Sequence, residues 1–299
     1  MAFRNIIIEN PAHLSIKRDQ LIIRVEEEYS VPVEDIPALL IENKQTVITT
    51  AALSRLGQCG CTVYVCDDKS LPCAVLTPYA KHCRELTVVQ NQLDAALPLK
   101  KRLWQSIVKA KIINQAECLR LIGRDDATAR LSDMAKKVRS GDADNIEAVA
   151  AQYYFPALMG ADFFRGLDNG LNAAMNYGYA ILRGSIARHL AAYGFLPVLG
   201  IHHHSTLNQF NLADDLIEPF RPVVDLLVVT YFDADTELTS EKKRLLFNCL
   251  NLDIRSGDQH HSVAYAIERE VRSLSRSFAE KEVRLCLPEL LALKQHRYE

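Results

Sequence analysis

The stretch TVYVCDDKSLPCAVLTPYAKHCRELTVVQNQLDAAL, residues 62–97, contains a change in hydrophobic period. It begins with Thr62-Val63-Tyr64-Val65, a β-branched and aromatic run that is typical of a strand. After Thr77-Pro78 the apolar residues recur at three- and four-residue steps, which is typical of one helix face. These residues are Leu86, Val89, Leu93 and Leu97. We therefore expect two domains, covering residues 1–77 and 78–299.

The first of these, residues 1–77, is predicted to be a small β-rich domain. Turn and charged residues such as Glu9-Asn10-Pro11 separate its short apolar runs. A single helix is expected over residues 50–58, with Gly57 or Gly60 at its end. The strand-like runs cover residues 6–8, 14–16, 21–25, 36–41, 47–48 and 62–65.

The remainder, residues 78–299, is predicted to be a larger all-α domain, because the helical period persists from residue 79 onward. Helices are also expected near residues 126–139, 146–159, 171–193, 214–229, 240–252 and 263–278. The fold class predicted from the chain is therefore α+β, with the strands first and the helices after them.

Composition places the chain among ordinary globular proteins. Of its 299 residues 48% are hydrophobic and 24% are charged, which excludes collagen-like and wholly disordered proteins. No run of about 18 apolar residues is present, and the first residues lack the pattern of a signal peptide, so we expect a cytoplasmic protein with no membrane contact. The eight cysteines include no Cys-x-x-Cys pair, which favours reduced thiols over disulfides or structural zinc.

A formal net charge of −2 conceals a basic middle segment. Residues 78–140 carry 13 basic and 6 acidic side chains, whereas residues 141–299 carry 15 basic and 21 acidic ones. The basic residues form either a solvated helical face or a surface that follows DNA phosphates. Tyr154 and Tyr177 either pack in the core or stack on unpaired bases. The candidate DNA contacts are Lys81, Arg84, Lys100, Lys101, Arg102, Tyr154 and Tyr177.

Two segments carry the residues that could perform chemistry. Glu147 lies near the start of an alanine-rich helical segment, where a carboxylate also favours the helix dipole. Further along, the three histidines of residues 202–204 precede Asp214, Asp215 and Glu218, which occupy neighbouring positions of a helical turn. Carboxylates crowded in this way repel one another unless a divalent cation, a basic partner or a raised pKa relieves them.

One imidazole with two or three carboxylates is a mixed nitrogen and oxygen ligand set. Such a set suits Mg²⁺ or Mn²⁺ better than structural zinc. The other interpretation of the acidic segment is a solvated helix start beside a surface loop of histidines. The chain has no phosphate-binding Gly-x-x-x-x-Gly-Lys-Ser/Thr loop, no Gly-x-Ser-x-Gly elbow and no His-Glu-x-x-His helix. Nucleotide-driven motors and serine hydrolases are therefore disfavoured.

The chain resembles one known family over essentially its whole length, and three motifs carry this resemblance. They are Gly-Asp-Ala-Asp-Asn-Ile-Glu-Ala at 141–148, Asn-Tyr-Gly-Tyr-Ala-Ile-Leu-Arg at 176–183, and Phe-Asn-Leu-Ala-Asp-Asp-Leu-Ile-Glu-Pro-Phe-Arg-Pro at 210–222. The chain resembles the Cas1 family of CRISPR adaptation integrases, in its type II branch. The resemblance implies an N-terminal β-sandwich-like domain, which makes the dimer contact, and a helical catalytic domain.

The resemblance also implies an activity, that of a metal-dependent DNA endonuclease and integrase in antiviral defence. Such an enzyme inserts captured foreign DNA into the CRISPR array, as a DNA 3′-hydroxyl attacks a phosphodiester in a transesterification that needs no ATP. The family's catalytic metal ligands carry over onto Glu147, His203 and Glu218, with Asp215 as an assisting acid and Mg²⁺ or Mn²⁺ as the cofactor. A one-residue change of register would give the role of His203 to His202 or His204.

The partners that the resemblance implies are double-stranded DNA, both as captured prespacer fragments and as CRISPR repeat DNA, and a second copy of the chain. A dimer of the small companion protein Cas2 would join two such homodimers, and other type II CRISPR proteins are further expected partners. Two other functions stay open from the residues alone. One is a metal-dependent phosphoesterase that acts on small substrates, and the other is a noncatalytic DNA-binding scaffold.

Overall fold

The computed structural model describes residues 5–68, 72–76 and 85–296. The described residues form two compact units, one that extends to residue 76 and one that covers 85–296. The predicted boundary between residues 77 and 78 lies outside the described residues, so it stays a prediction.

The N-terminal unit contains two four-stranded sheets and one helix, α1 (Thr50–Cys59). The strands are β1 (Ile6–Ile8), β2 (His13–Lys17), β3 (Gln20–Arg24), β4 (Glu28–Pro32), β5 (Ala38–Ile41), β6 (Val47–Ile48), β7 (Thr62–Cys66) and β8 (Pro72–Leu76). One sheet has the order β1-β5-β7-β8 and the other β4-β3-β2-β6. Pairing is parallel within β1-β5-β7 and antiparallel within β4-β3-β2.

Both sheets contribute to one apolar core. Leu14 and Leu21 from one sheet, Leu39 and Val63 from the other, and Leu56 of α1 belong to the same buried cluster. Helix α1 begins where the Thr49 hydroxyl accepts a hydrogen bond from the Ala52 amide, and it ends at Gly60, whose φ of +79° favours glycine. Two sheets that share a core are the arrangement of a β-sandwich.

The C-terminal unit is mainly helical. Its helices are α2 (Glu85–Leu93), α3 (Leu97–Leu121), α4 (Asp125–Lys137), α5 (Ile146–Met159), α6 (Gly170–Ala192), α7 (Asn211–Leu216), α8 (Arg221–Tyr231), α9 (Ser240–Phe247) and α10 (Val263–Glu280). The long helix α3 packs against α4, α5 and α8. The predicted α+β class, with sheets at the N-terminus and helices after them, is confirmed.

A small sheet in this unit departs from the all-α expectation. Strands β9 (Asp253–Ser256), β10 (Gln259–Ser262) and β11 (Pro288–Glu289) pair in the order β10-β9-β11. Strand β10 reads Gln-His-His-Ser, which has neither β-branched residues nor apolar alternation, so its sequence gives no strand signal.

The helix predicted over residues 214–229 is not continuous. Helix α7 ends at Leu216, a 3₁₀ turn covers Glu218–Phe220, and α8 then begins at Arg221. Pro219 and Pro222 explain the break, because proline lacks the amide hydrogen that a helix interior needs and fits at the first helical positions. The break gives the Glu218 carboxylate a position of its own between two helices.

Within the described residues, no helix is both long and apolar enough to cross a bilayer.

Gly178 sets the close approach of α6 to α8. A Cβ at this position would lie 2.5 Å from Cγ1 of Val224, a contact that real side chains do not make. We expect Gly178→Ala to lower the free energy of unfolding by about 1–3 kcal/mol through overpacking, as measured by urea titration. The control is Gly57→Ala in α1, where a Cβ meets nothing within 4 Å and should stabilise the helix. Equal effects of the two substitutions would contradict this packing.

Candidate active site

The N-terminal turn of α5 presents Glu147. The carboxylate of Asp142 accepts hydrogen bonds from the amides of Ile146 at 2.9 Å and Glu147 at 3.0 Å. These bonds satisfy amides that lack partners at a helix start, and they hold the first turn in place. The Glu147 side chain is therefore held on an ordered turn, and 28% of it is exposed.

Lys111 joins the two carboxylates that the sequence singled out. Its Nζ contacts Oε1 of Glu147 and lies 2.5 Å from Oε2 of Glu218. Arg221 donates from Nε to the other Glu218 oxygen at 3.0 Å. The side chains of Lys111 and Glu218 are 8% and 7% exposed, so this ion pair is almost fully removed from water. Three distant parts of the chain thus meet at one buried group of charges.

The charges in this group support one another. Burial alone would raise the pKa of Glu218, but Arg221 and Lys111 outweigh it and lower that pKa to about 2. Burial likewise opposes the charged form of Lys111, yet Glu218 and Glu147 together raise the pKa of the ammonium group. Both groups are therefore charged at neutral pH.

Asp215 organises the loop that carries the histidines. Its carboxylate has no exposed surface, and it accepts hydrogen bonds from the amides of Ile201, His202 and His203 at 2.5, 3.1 and 3.1 Å. Gly200 permits this loop, since a Cβ there would lie 2.2 Å from the His203 carbonyl oxygen. The loop is thus wrapped around a single buried carboxylate.

The same carboxylate orients the ring of His203. Nδ1 of His203 lies 2.7 Å from Oδ1 of Asp215. An ionised carboxylate only accepts, so Nδ1 carries the hydrogen and Nε2 of the neutral ring keeps its lone pair. The hydrogen bond to Asp215 raises the pKa of His203 against the effect of burial, and Glu218 adds a smaller attraction in the same direction.

The three consecutive histidines have different surroundings. The ring of His202 stacks on Trp104 of α3, with centroids 4.2 Å apart and the planes 1° from parallel, and burial lowers its pKa. His204 is exposed and lines a different cavity, together with Lys100 and Asn211. Of the three rings, that of His203 carries the hydrogen bond to Asp215. The assignment of the metal-ligand role to His203, rather than to His202 or His204, stays a prediction.

A cavity of about 250 Å³ contains the charged groups. Its lining includes Lys111, Glu147, Arg165, Tyr179, Glu218 and Arg221. His203 is not part of this lining. With Asp225, which also belongs to the lining, three acidic and three basic side chains face one space that a phosphate group could enter.

Glu147, Glu218 and His203 have the ligand atoms that a divalent ion such as Mg²⁺ or Mn²⁺ prefers. Over residues 5–68, 72–76 and 85–296, no three His, Cys, Asp or Glu side chains come together as a ligand group. Glu147 and Glu218 nevertheless share one cation, the Lys111 ammonium group, which shows that their oxygens converge on a positive charge. Carboxylate oxygens with one imidazole nitrogen suit Mg²⁺ or Mn²⁺. A bound ion would have to replace the ammonium group between them.

The structure corrects two of the candidate DNA contacts. Tyr154 and Tyr177 have no exposed surface, so neither ring offers a face on which a base could stack. Tyr154 instead donates to Oδ2 of Asp225 at 3.0 Å, and Tyr179 bonds to the other oxygen of that carboxylate. Burial raises the pKa of Asp225 to about 6, although these two hydrogen bonds oppose the rise. These tyrosines pack the core.

Of the five basic residues predicted to contact DNA, three lie within the described residues. Lys101 and Arg102 are exposed on α3, and Lys100 is half-buried. Lys81 and Arg84 lie outside the described residues. Lys100, Lys101 and Arg102 lie on α3, the helix that also carries Trp104. Their contact with DNA stays a prediction.

The sequence placed Lys111 only among the basic residues of segment 78–140, as part of a solvated or phosphate-following surface, and assigned no role to Trp104, Gly200 or Arg221. A signal for Lys111 was available, because it follows Trp104 and Ile107 on one apolar face of α3 at steps of three and four residues. A lysine on such a face needs a buried anion. No comparable signal exists for Gly200, since its role depends on a residue far along the chain.

The family model for "CRISPR associated protein Cas1" matches residues 6–242. A "CRISPR-associated endonuclease Cas1" from Neisseria meningitidis serogroup C is 45% identical over 304 aligned residues, which cover 100% of both chains. The fold and the carboxylate pair thus occur in a chain that resembles CRISPR-associated nucleases throughout its length. The protein belongs to the Cas1 family, and the predicted family resemblance is confirmed.

Solved structures share the fold. "Casposase bound to integration product" gives a TM-score of 0.77 at 19% identity, and the match covers 95% of this chain and 92% of the other. The "Cas6-RT-Cas1--Cas2 complex" gives a TM-score of 0.73 at 16% identity and covers 97% of this chain and 36% of that longer one. At these identities the likeness establishes the fold.

The buried ion pair yields a stability prediction. Lys111→Met leaves the Glu147 and Glu218 carboxylates without their shared cation, so we expect the free energy of unfolding to fall by about 3–5 kcal/mol. Urea titration at pH 7 with a chelator present measures the loss. Lys109→Met removes a half-buried lysine from the same helix and should cost much less. Similar values for the two variants would mean that Lys111 does not compensate the carboxylates.

Proposed function

We propose that this protein is a metal-dependent DNA endonuclease and integrase of CRISPR adaptation, which inserts captured DNA fragments into the CRISPR array. Membership of the Cas1 family, the relative named as an endonuclease and the fold shared with a casposase bound to its integration product support this function. The observation that carries the proposal is the pair Glu147 and Glu218, which converge on one cation beside a cavity that also holds arginines.

The proposed reaction is a transesterification at phosphorus. The 3′-hydroxyl oxygen of the incoming strand loses its proton and forms a bond to a phosphorus of the target. The bond from that phosphorus to the target's own 3′-oxygen breaks, and this oxygen takes up a proton to become a new 3′-hydroxyl. One phosphodiester replaces another, so no ATP is needed. Bound at Glu147, Glu218 and His203, Mg²⁺ or Mn²⁺ would offset the negative charge that develops on the phosphoryl oxygens.

The protein groups have separate tasks in this proposal. Glu147 and Glu218 supply oxygen ligands from two different elements. Asp215 keeps Nδ1 of His203 protonated, which leaves Nε2 as a neutral ligand that adds no negative charge near a phosphate. Arg221, 3.0 Å from Glu218, holds that carboxylate ionised and brings a guanidinium group to the cavity where the phosphate would lie.

The proposed assembly follows the same comparisons. Double-stranded DNA is the proposed substrate, as prespacer fragments and as CRISPR repeat DNA, with Lys100, Lys101 and Arg102 of α3 as phosphate contacts. A solved complex that contains Cas1 and Cas2 shares this fold, which supports Cas2 as a partner. We also propose a homodimer, contacts to other type II CRISPR proteins, and action in the cytoplasm, where the CRISPR array lies.

The carboxylate Glu218 provides the test of catalysis. We expect Glu218→Gln to lower strand transfer of a 3′-hydroxyl duplex into a supercoiled target by more than about 100-fold, since changes in outer-shell partners alone cost 10–100-fold. DNA affinity, measured by fluorescence anisotropy, should change little. Glu241→Gln on the exposed start of α9 is the matched control.

The result separates the alternatives. If Glu218→Gln joined strands as well as the wild type, the protein would be a scaffold rather than the catalyst. If the wild type hydrolysed p-nitrophenyl phosphate with Mn²⁺ but never joined DNA, a small-substrate phosphoesterase would be the better assignment. A steep loss of DNA affinity with salt is expected for the integrase.

Metal binding is testable without activity. Manganese added to chelator-treated protein should raise the melting temperature, because a ligand that binds the native state at 100 times its Kd stabilises it by about 2.7 kcal/mol. His203→Ala and Glu218→Gln should lose this rise, whereas Glu241→Gln should keep it. A rise of equal size in all four proteins would place the metal elsewhere, and strand transfer that persists with a chelator would end the metal proposal.

A further inference from the structure

The chain after α10 forms a strap that contacts both β9 and α3. We call residues 281–296 the C-terminal strap, and β11 lies in its middle. Before β11 the Cys286 amide donates to the Ser273 hydroxyl at 2.8 Å, and after it the Lys294 carbonyl accepts from the Asp253 amide at 2.8 Å. The strap is therefore fixed to α10 on one side of β11 and to β9 on the other.

Asn114 of α3 joins the middle of this strap to the 3₁₀ turn that begins at Glu218, here called the Glu218 turn. Its side-chain amide donates to the carbonyl oxygens of Pro219 at 2.8 Å and Pro288 at 3.0 Å. Its side-chain oxygen accepts from the Leu290 amide at 3.0 Å. A primary amide has two N–H donors and one carbonyl oxygen, so every polar group of this side chain has a backbone partner.

The surroundings of Asn114 make these bonds selective. The residue is 2% exposed, and Pro219 and Leu290 are buried as well. A buried polar group that loses its partner is not compensated by bulk water, so an arrangement that breaks any of the three bonds is unfavourable. The side chain of Asn114 therefore favours one relative position of the Glu218 turn, the strap and α3.

Two residues of α3 hold the Glu218 turn at different points. Lys111 and Asn114 are three residues apart, which places them on one face of the helix. Lys111 contacts the carboxylate of Glu218, whereas Asn114 binds the backbone carbonyl of Pro219. A divalent ion would have to take the place of the Lys111 ammonium group, so the contact between Lys111 and Glu218 would then be lost. The bond from Asn114 does not involve the carboxylate and would persist.

We propose that Asn114 is a positioning residue for strand transfer, which holds Glu218 in place for the metal by linking the Glu218 turn to the C-terminal strap. This inference rests on the proposed function, because it takes Glu218 as a metal ligand. Asn114 acts through the backbone of Pro219 and is not itself a ligand. A ligand must be held within about 0.5 Å of its productive position, and the strap supplies a fixed support on the far side of the amide.

The substitution Asn114→Leu removes all three hydrogen bonds and keeps a side chain of similar size. We expect the Kd for Mn²⁺, measured by electron paramagnetic resonance of the free ion, to rise about 10–100-fold, as for other changes in outer-shell partners. The single-turnover rate of strand transfer at subsaturating Mn²⁺ should fall by a similar factor. DNA affinity measured with a chelator should change little. A residue that only stabilised the fold would lower the melting temperature and leave the Kd for Mn²⁺ of the folded protein unchanged.

The matched control is Gln105→Leu on the same helix. Gln105 also donates from its side-chain amide to a backbone carbonyl, that of Val138 at 2.8 Å, which lies directly after α4. This variant should keep the wild-type Mn²⁺ affinity and rate. Melting temperatures establish that each protein is folded. Asn114→Ser is the second variant if Asn114→Leu does not fold, and it should show the same defect to a smaller extent because its hydroxyl can donate to one carbonyl.

Hydrogen exchange on the wild type tests the link without any substitution. Mn²⁺ bound at Glu218 should slow exchange of the Leu290 amide, because a ligand that stabilises the Glu218 turn also stabilises the bonds that join it to the strap. The amides of β3 in the N-terminal unit serve as the control and should exchange at the same rate with and without Mn²⁺.

The outcomes are distinct. If Asn114→Leu is folded, binds Mn²⁺ and joins DNA as the wild type does, Asn114 has a structural role only and the inference is wrong. If Mn²⁺ slows exchange in the Glu218 turn but not at Leu290, the strap is not linked to the turn, which also overturns it. Failure of the proposed function would appear separately, as strand transfer that survives Glu218→Gln.

Discussion

The ammonium group of Lys111 between Glu147 and Glu218 is the interaction on which the candidate site depends. A carboxylate as buried as that of Glu218 stays ionised only if cations compensate the loss of hydration, and Lys111 and Arg221 do so. The lysine comes from the middle of α3, so the helix that anchors the C-terminal unit also fixes the distance between the two acids. Fold and site are therefore linked through one side chain.

Asp215 plays a corresponding part for the histidine loop. It lies one turn before Glu218, yet its carboxylate accepts hydrogen bonds from three backbone amides and is bonded to the ring of His203. The crowded acids of this segment thus avoid repulsion because each meets different donors. Asp214 accepts from Asn208, Asp215 serves the loop, and Glu218 meets Lys111 and Arg221.

The sequence predicted the secondary-structure elements that depend on patterns among neighbouring residues. The strand-to-helix change near Thr77-Pro78 and the helix at 50–58 depend on short-range periodicity, and the structure contains the N-terminal sheets, helix α1 and the later helices. The sequence analysis did not predict the helix break at Glu218, although Pro219 and Pro222 signal it. It also did not predict strand β10, which lacks apolar residues. The sequence could not show which residues contact the acids, because Lys111 and Gly200 are far from those acids along the chain. Contacts between distant residues become visible only in the folded structure.

The distribution of charge explains how an acidic segment can meet a polyanion. Glu147 and Glu218 on their own would repel a phosphate, but Lys111 neutralises part of their charge, and the cavity that contains them adds Arg165 and Arg221. A divalent ion that replaced the ammonium group would add one further positive charge at the same place. The potential that a DNA strand meets would then become more favourable where its phosphate must bind, while the surrounding arginines stayed as they are. The acids therefore hold positive charge in place, and under the proposed function the arginines beside them would face the DNA strand.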